Sequence, residues 1–319
     1  MNDYWCPPKC NAKFPPCFEK HPGVTSKSNP GNILGLHNLA NRIKPSFLDG
    51  IRLNYRHSLK PNKMLTASWR LSHNEPSGFR FGGIYTVRLH GDVMQTPTIY
   101  ADINPANLST DVGIVYHPYP QLRVQAEMQR AALGAPTLET QTCIELSTHS
   151  ATLTGMLYNA RRESGQGTLS YLRAINDKLS VGGELSIEWT DPYSMMTDIA
   201  FAARFRQRSY SIAATISCQG VDVSYWQRLH RRIQMATLWA WQRKTEQSLA
   251  TICYQWNFED AHVRGQFDSN LSVGFIYSSR VMPHIPLSMD MSLLINFLTN
   301  RFVFGVNFTL DPSGLRRGE

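Results

Sequence analysis

The sequence predicts an all-β fold, a transmembrane β-barrel of about 19 strands, and three observations lead to this prediction. Apolar and polar residues alternate with a period of two from about residue 47 to residue 310, which is typical of strands with two different faces. Short turn signals rich in Pro, Gly, Asn and Asp separate the alternating segments. The polar positions carry Arg, Glu, Gln, Ser, Thr and Asn, which suit a water-filled interior.

The chain begins with a segment, residues 1–30, that we expect to be a disordered tail. It contains six prolines, which oppose regular structure. Residues 31–46 follow as a predicted amphipathic helix and linker, with the helix at about 31–43. The helix is predicted because four apolar residues recur at helical spacing: Ile33, Leu36, Ala40 and Ile43. Pro45 ends this run.

Residues 47–310 form the predicted barrel, and residues 311–319 form a short C-terminal tail. The predicted strands are 48–58, 63–73, 78–89, 97–104, 107–117, 121–130, 137–147, 150–159, 165–175, 179–190, 195–207, 209–218, 220–229, 231–243, 246–258, 261–268, 270–280, 286–297 and 299–310. In the last strand, "RFVFGVNFTLD" at 301–311, one face is almost wholly apolar. Little sequence remains to cover that face, so we expect lipid to cover it.

Membrane insertion as a barrel is compatible with the hydropathy of the chain. Its longest apolar runs are far shorter than the about 20 residues that a membrane-spanning helix needs. A barrel strand needs only about 10 alternating residues. Barrels of roughly 16–18 strands already enclose an aqueous channel, so polar residues can face the lumen and apolar ones lipid. Large aromatic residues near strand ends match an interfacial girdle: Tyr85, Trp189, Trp239, Trp241, Trp256 and Tyr277.

The sequence contains no constellation that predicts an enzyme, a cofactor or a metal site. Cys6, Cys10 and Cys17 lie close together in the tail, but their spacing matches no zinc pattern. Glu184 and Glu188 share a strand face about 13 Å apart, whereas a glycosidase pair needs about 5–9.5 Å. The net charge of +8 comes from dispersed arginines rather than a basic run, so no nucleic-acid partner is expected.

Several blocks of the sequence resemble one known family. They are "NPGNILGLHNLANRIKPSFLDGIRLNY" (29–55), "KLSVGGELSIEW" (178–189), "MTDIAFAARFRQRSYSIAATISCQGVDVSYWQRL" (196–229) and "VRGQFDSNLSVGFIYSSRVMPHIPLSM" (263–289). In order and spacing they are similar to the channel-forming subunits of the translocase of the outer mitochondrial membrane, the TOM complex, within the mitochondrial porin superfamily. The resemblance covers residues 29–310 and suggests a diverged paralogue.

The resemblance implies a 19-stranded barrel whose first and last strands pair in parallel, with the N-terminal helix inside the lumen. It implies a multi-pass protein of the mitochondrial outer membrane that conducts unfolded precursor proteins. The implied partners are membrane lipid, the precursors, receptor and small single-helix TOM subunits, and further copies of the chain. Gly305, Phe308 and Leu310 match the C-terminal assembly signal of the family, whereas Val303 occupies a position that is polar in the family pattern.

Strand parity predicts which charged residues line the lumen. The acidic set is Glu127, Glu139, Glu145, Glu184 and Glu188. The basic set is Arg52, Arg56, Arg70 and Arg80. Mitochondrial targeting segments are basic and poor in acidic residues, so the acidic set is a hypothetical track for them. A structural alternative is that these glutamates are simply solvated lumen residues.

Two other functions remain open at this point. A metabolite porin of the voltage-dependent anion channel type would share the fold and the strand number. A soluble β-rich lipid-binding or scaffold protein would share the alternation but not the lipid-facing surface. The matching sequence blocks favour the protein-conducting channel over the first, and extraction from membranes would distinguish the second.

Overall fold

A computed structural model of the chain describes residues 29–60, 62–73, 77–87, 97–119, 121–130, 138–161, 163–191, 194–281 and 285–312. Most of the predicted N-terminal tail, with Cys6, Cys10 and Cys17, lies outside these ranges, as does most of the C-terminal tail. Within the described residues, no helix has the length and apolar character required to cross a membrane.

The fold consists almost entirely of strands. They are β1 Gly50–Lys60, β2 Lys63–Leu71, β3 Gly78–Thr86, β4 Thr98–Ile103, β5 Thr110–Tyr119, β6 Leu122–Arg130, β7 Leu138–Ser147, β8 Ala151–Tyr158, β9 Gly165–Ala174, β10 Leu179–Asp191, β11 Ser194–Arg206, β12 Tyr210–Ser217, β13 Gly220–Arg228, β14 Ile233–Gln242, β15 Gln247–Asn257, β16 Ala261–Asp268, β17 Ser272–Arg280, β18 Leu287–Asn296 and β19 Arg301–Leu310. Each predicted strand boundary lies within three residues of the observed one.

The strands form one sheet whose hydrogen-bonding order is closed. Neighbours in sequence are neighbours in the sheet, and β1 also pairs with β19. That closing pair is parallel, with six register partners from Gly50↔Gly305 to Tyr55↔Leu310. The described antiparallel pairs, such as β18–β19, join the remaining neighbours. The predicted closed 19-stranded β-barrel and its parallel closing pair are therefore confirmed.

Side chains alternate between two faces of the sheet. We call the face that carries mostly small and polar side chains, such as Thr154 and Ser170, the inner face. The outer face carries the large apolar residues, many of which are between 37% and 68% exposed. In water such a surface would be unstable, whereas lipid covers it at no hydrophobic penalty. Of the six predicted girdle residues, Tyr85, Trp239, Trp256 and Tyr277 belong to this exposed outer set, whereas Trp189 and Trp241 are only partly exposed. The girdle itself stays a prediction.

The helix prediction was too long. Only Asn38–Asn41 forms the helix α1, instead of residues 31–43. Before it, Gly31 has a φ of 80°, and the Asn32 side-chain oxygen accepts a hydrogen bond of 2.8 Å from the Gly35 amide. Such a side-chain bond replaces the backbone partner that a continuous helix would supply, so the segment forms turns. The four apolar residues on which the helix prediction rested are nevertheless all buried.

Contacts divide the chain into two compact units. The first comprises the chain up to Leu36, Gly82–Arg206 and Ala213–Gln219. In this unit Ile33 and Leu36 pack against Leu172 and its neighbours on the inner face of the strands. The Asn29 side chain also hydrogen-bonds the β7–β8 turn, donating to the Thr148 carbonyl at 2.6 Å. Apolar packing and polar contacts together attach the N-terminal segment to this inner face.

The second unit comprises His37–Phe81, Gln207–Ile212 and the chain from Gly220. In it, Ala40 and Ile43 pack against Trp226, Ala236 and Cys253, all on the inner face. The helix α1 therefore lies on the inner face of β13–β15, which agrees with the predicted position in the lumen.

The helix is also held by a polar contact in the same unit. His37 Nδ1 lies 2.7 Å from Ser224 Oγ on β13. Burial lowers the pKa of the His37 imidazole below its ordinary value of 6.5, and the carboxylate of Asp222 opposes this effect. The neutral imidazole is therefore the form that this position favours.

One strand prediction needs a correction that affects the assignment of faces. The sequence predicts a strand over residues 270–280, and its alternation would place Asn270 toward the lumen and Leu271 toward lipid. The structure instead starts β17 at Ser272, and Leu271 lies in the preceding turn with a φ of 55°. Ser272 and Val273 are the first residues there that occupy opposite faces of a strand.

We expect single cysteines in intact membranes to react according to face. A water-soluble thiol reagent should label Ser186→Cys and Thr215→Cys, which are partly exposed on the inner face. It should spare the outer set Leu185→Cys, Ile216→Cys and Val273→Cys, because lipid excludes the reagent. Labelling that ignores this parity would show that the register is wrong, since a slip of one residue exchanges the faces.

We also expect the attachment of α1 to depend on pH through His37. Because its pKa is lowered in the docked state, docking is strongest above pH 6.5 and weakens as the pH falls toward the lowered pKa. The Cys253 thiol lies beneath α1. As the pH is lowered from about 7.5 to about 5.5, the ratio of its reactivity in the parent to its reactivity in His37→Gln should rise. Both proteins contain the same thiol, so the ratio cancels the intrinsic pH dependence of Cys253. A constant ratio between the two proteins would contradict the prediction.

Candidate pore-lining site

The predicted acidic residues lie on the inner face of β6, β7 and β10, three strands of the first unit. Two rows of register partners cross this part of the sheet. One is Arg123↔Glu145↔Thr154↔Ser170↔Glu184. The other is Glu127↔Gln141↔Tyr158↔Gln166↔Glu188. Glu139 pairs with Gln129, one step farther along β6 and β7. The intervening strands β8 and β9 contribute hydroxyl and amide groups.

Three of the five glutamates line one cavity of about 500 Å³ on this face. They are Glu127, Glu139 and Glu184. The remaining lining residues are Leu34, Gln129, Thr140, Gln141, Met156, Tyr158, Gln166 and Thr168. The wall thus combines carboxylates and neutral hydrogen-bonding groups with two flexible apolar side chains, Leu34 and Met156. Such a wall can accept hydrogen bonds from a cationic group and contact an apolar one.

Neutral donors orient two of these carboxylates. The Tyr158 hydroxyl donates to Glu139 Oε2 at 3.0 Å, and the Gln129 amide donates to Glu127 Oε1 at 2.9 Å. Glu127 is also hydrogen-bonded by Tyr100, whose ring lies over Gly113. Gly113 is the register partner of both Tyr100 and Glu127 and lies between them. Because Gly113 has no side chain, the Tyr100 ring can extend across β5 to Glu127. These donors fix the carboxylates without cancelling their negative charge.

The other two predicted acidic residues have different surroundings. Glu145 is only 8% exposed and forms a salt bridge of 3.4 Å with Arg123. Its charge is therefore largely compensated by its partner. Glu188 is exposed and lies outside the cavity wall. The structure thus groups Glu127, Glu139 and Glu184, and separates Glu145 and Glu188 from them.

The predicted basic residues lie on the inner face of the second unit. Arg52 and Arg56 belong to β1, Arg70 to β2 and Arg80 to β3. Arg52 and Arg70 are register partners, and Arg52 and Arg80 both lie close enough to Arg70 to interact electrostatically with it. Like charges on adjacent strands repel, and water in the lumen screens that repulsion.

The residues of the predicted assembly signal lie on β19 as parity requires. Gly305 is buried on the inner face, where it is the register partner of Ser292 and Gly50. Phe308 and Leu310 lie on the outer face, opposite Leu53 and Tyr55 of β1. Val303 shares the inner face with Gly305.

Sequence reasoning missed the neutral residues of the cavity wall. Tyr100, Tyr158 and Gln129 hold the carboxylates, and strand parity alone would have placed them on the inner face. The predicted set of pore-lining site residues contained only charged side chains, although parity also places neutral ones such as Ser186 on the inner face. Among the described residues, no group of three or more His, Cys, Asp or Glu side chains could hold a metal ion.

The chain is similar to known proteins over most of its length. Residues 29–305 match the eukaryotic porin family. A Caenorhabditis briggsae protein named mitochondrial import receptor subunit TOM40 homolog is 23% identical over 294 residues, which cover 89% of this chain and 95% of the relative. Drosophila melanogaster TOM40 homolog 2 is 24% identical, with 90% and 84% covered. Human TOM40B is 21% identical, with 88% and 92% covered.

Among solved structures, a mutant of the Rh. blastica porin superposes with a TM-score of 0.46 and 13% identity, covering 71% of this chain and 96% of the porin. The family match spans well over half of the sequence, from the segment that precedes α1 to the last strand. The chain belongs to the eukaryotic porin family.

Proposed function

We propose that the protein is a protein-conducting channel of the mitochondrial outer membrane that passes unfolded precursor proteins. Its named relatives are mitochondrial import receptor subunits, and the similarity extends over about nine tenths of the chain. We further propose that the chain is a subunit of a TOM complex, with receptors, small single-helix subunits and other copies of itself as neighbours.

The observation that carries the proposal is the composition of the inner face of β6–β10. Glu127, Glu139 and Glu184 surround one cavity, and hydroxyl and amide side chains fill the positions between them. A channel for an unfolded chain needs a wall that forms exchangeable polar contacts and offers few apolar patches on which the chain would stick.

The negative charge of this wall suits the substrate class. Targeting segments of mitochondrial precursors are amphipathic, rich in Arg and poor in acidic residues. Carboxylates attract such a segment over about one Debye length, roughly 8 Å at physiological salt, and more strongly inside a confined channel. Leu34 and Met156 offer contacts for the apolar side of the segment.

A metabolite porin is the second candidate, because the family that matches is defined by the porin fold. The arginines of β1–β3 favour this candidate, since a basic wall attracts anionic metabolites. The carboxylates around the cavity oppose it. The names of the relatives favour protein import, so we place the porin second.

Neutralising the cavity should weaken the capture of a targeting segment. In the combined variant Glu127→Gln, Glu139→Gln, Glu184→Gln, we expect cross-linking of a presequence peptide to the barrel to fall by about tenfold at low salt, and by less at physiological salt. The matched control is Glu163→Gln, Asp177→Asn, Glu246→Gln, which removes the same charge from exposed turn residues.

Equal cross-linking in both triple variants, with normal assembly, would show that the cavity glutamates are not the track. A native protein that conducts small anions but never cross-links to a precursor would establish the porin alternative. Glu145 is left out of the variant because its salt bridge with Arg123 would confound the loss of charge with a loss of stability.

The proposed location predicts resistance to alkaline extraction. After carbonate treatment of purified mitochondria, most of the protein should remain in the membrane pellet, because its apolar outer face stays in lipid. A peripheral protein held by charge would be released by the same treatment. Recovery of this chain mainly in the supernatant would contradict the outer-membrane location and would favour the soluble β-protein.

A further inference from the structure

The segment Phe47–Gly50 leads into β1 and includes its first residue, Gly50. It crosses the inner face of the sheet beside the parallel β1–β19 pair. We call this segment the seam strap. Its four residues contact β17, then β18 and β19, and then the end of β2. It therefore connects strands on both sides of the pair that closes the barrel.

Phe47 occupies a space that Gly274 leaves open on β17. A Cβ atom at Gly274 would lie 2.6 Å from Phe47 Cε1 and closer still to Cζ. Real Cβ atoms do not approach other carbons so closely. The aromatic ring therefore covers the inner face of β17 only because residue 274 has no side chain.

Leu48 is held through its backbone on the next two strands. The Leu48 amide donates to Ser292 Oγ at 3.1 Å, and this oxygen also lies 3.1 Å from the Leu48 carbonyl and 3.3 Å from the Gly305 carbonyl. One hydroxyl thus links the strap to both β18 and β19. A Cβ atom at Gly305 would lie 2.6 Å from the Leu48 carbonyl carbon, so a side chain at 305 would displace the strap.

The next two residues of the strap attach it to the other side of the closing pair. Asp49 Oδ2 accepts hydrogen bonds from Ser72 Oγ at 3.1 Å and from the His73 amide at 3.2 Å, directly after β2. Gly50 then turns the chain into β1 with a φ of 77°, which favours glycine. The start of β1 is therefore fixed relative to β2 and β19 before their ladder hydrogen bonds begin.

We propose that the seam strap sets the register of the parallel β1–β19 pair, and that Gly274, Ser292 and Gly305 are positioning residues that form its dock. A parallel pair is slightly less stable per residue than an antiparallel one, and this pair has only six register partners in the described strands. The Asn54 amide bond to Asn307 Oδ1, at 2.6 Å, supports the far part of the pair. The strap supports the near part.

The register can be measured by disulfide trapping in the full-length chain with its native cysteines replaced. Leu53→Cys and Phe308→Cys are register partners on the outer face and should form a disulfide. Leu53→Cys with Val306→Cys reports a slip of two residues, which keeps the same face. We expect the parent to give the first disulfide and to give the second only at background level.

The decisive comparison uses Gly274, which lies outside the assembly signal, and every variant carries the same Leu53→Cys, Phe308→Cys pair, so that any effect of residue 308 on assembly is common to all of them. Gly274→Ala should lower the 53–308 disulfide yield by about tenfold, since overpacking displaces the ring. In a Phe47→Ala background the same substitution should have a much smaller effect, because the ring is gone and only the Leu293 carbonyl oxygen, at 3.0 Å, still lies close to the added Cβ atom. Gly155→Ala, where an added Cβ meets no atom within 4 Å, is the control and should match the parent.

Two serines of β18 give an independent comparison. Ser292→Ala should reduce the 53–308 disulfide, whereas Ser288→Ala should not, although the Ser288 hydroxyl also reaches a β19 carbonyl, at 3.4 Å from Thr309. If Gly274→Ala acts equally with and without Phe47, or if the two serine variants behave alike, the strap does not set the register. A rise of the 53–306 disulfide in Gly274→Ala and Ser292→Ala would be the strongest support.

Discussion

The structure depends on one constraint, which is that a sheet in lipid can leave no backbone edge unpaired. Each unsatisfied N–H or C=O group in hydrocarbon costs several kcal/mol, so a membrane sheet has to close. When neighbouring strands run antiparallel, an odd number of strands brings the first and last strands into the same direction. With 19 strands, the closing pair is necessarily parallel, as the β1–β19 pair is.

The register between paired strands also determines the chemistry of the lumen. Since the side-chain period of a strand is two, a slip of one residue would move the large apolar residues inward and the carboxylates into lipid. Glu127 and Ile144 illustrate the division, because they belong to paired strands and face opposite ways. The lipid-facing surface and the polar wall are thus two consequences of the same pairing, and neither can change alone.

Most of the fold follows from the sequence because alternation is a local pattern. Lipid requires apolar residues on one face of each strand, and lumen water favours polar residues on the other. Nineteen strands and the two faces of Arg301–Leu310 could be read in this way. The parallel closing pair was predicted from the family resemblance, and the odd number of strands requires it only once the sheet is known to close, which periodicity alone does not show. The helix was overextended because the hydrogen bond from Gly35 to Asn32 competes with helical bonds, and hydrophobic spacing cannot reveal such a bond. The turn at Leu271 was missed because its neighbours alternate as a strand does.

The candidate site was predictable in position but not in electrostatics. Parity places all five glutamates on the inner face, yet only the register shows that Glu145 lies opposite Arg123 and forms a salt bridge with it. Glu139 instead accepts a hydrogen bond from the neutral Tyr158. A neutral donor fixes the direction of a carboxylate and leaves its field intact, whereas a guanidinium cancels that field. The negative field of this wall is therefore determined less by the number of glutamates than by which strand neighbour each one has.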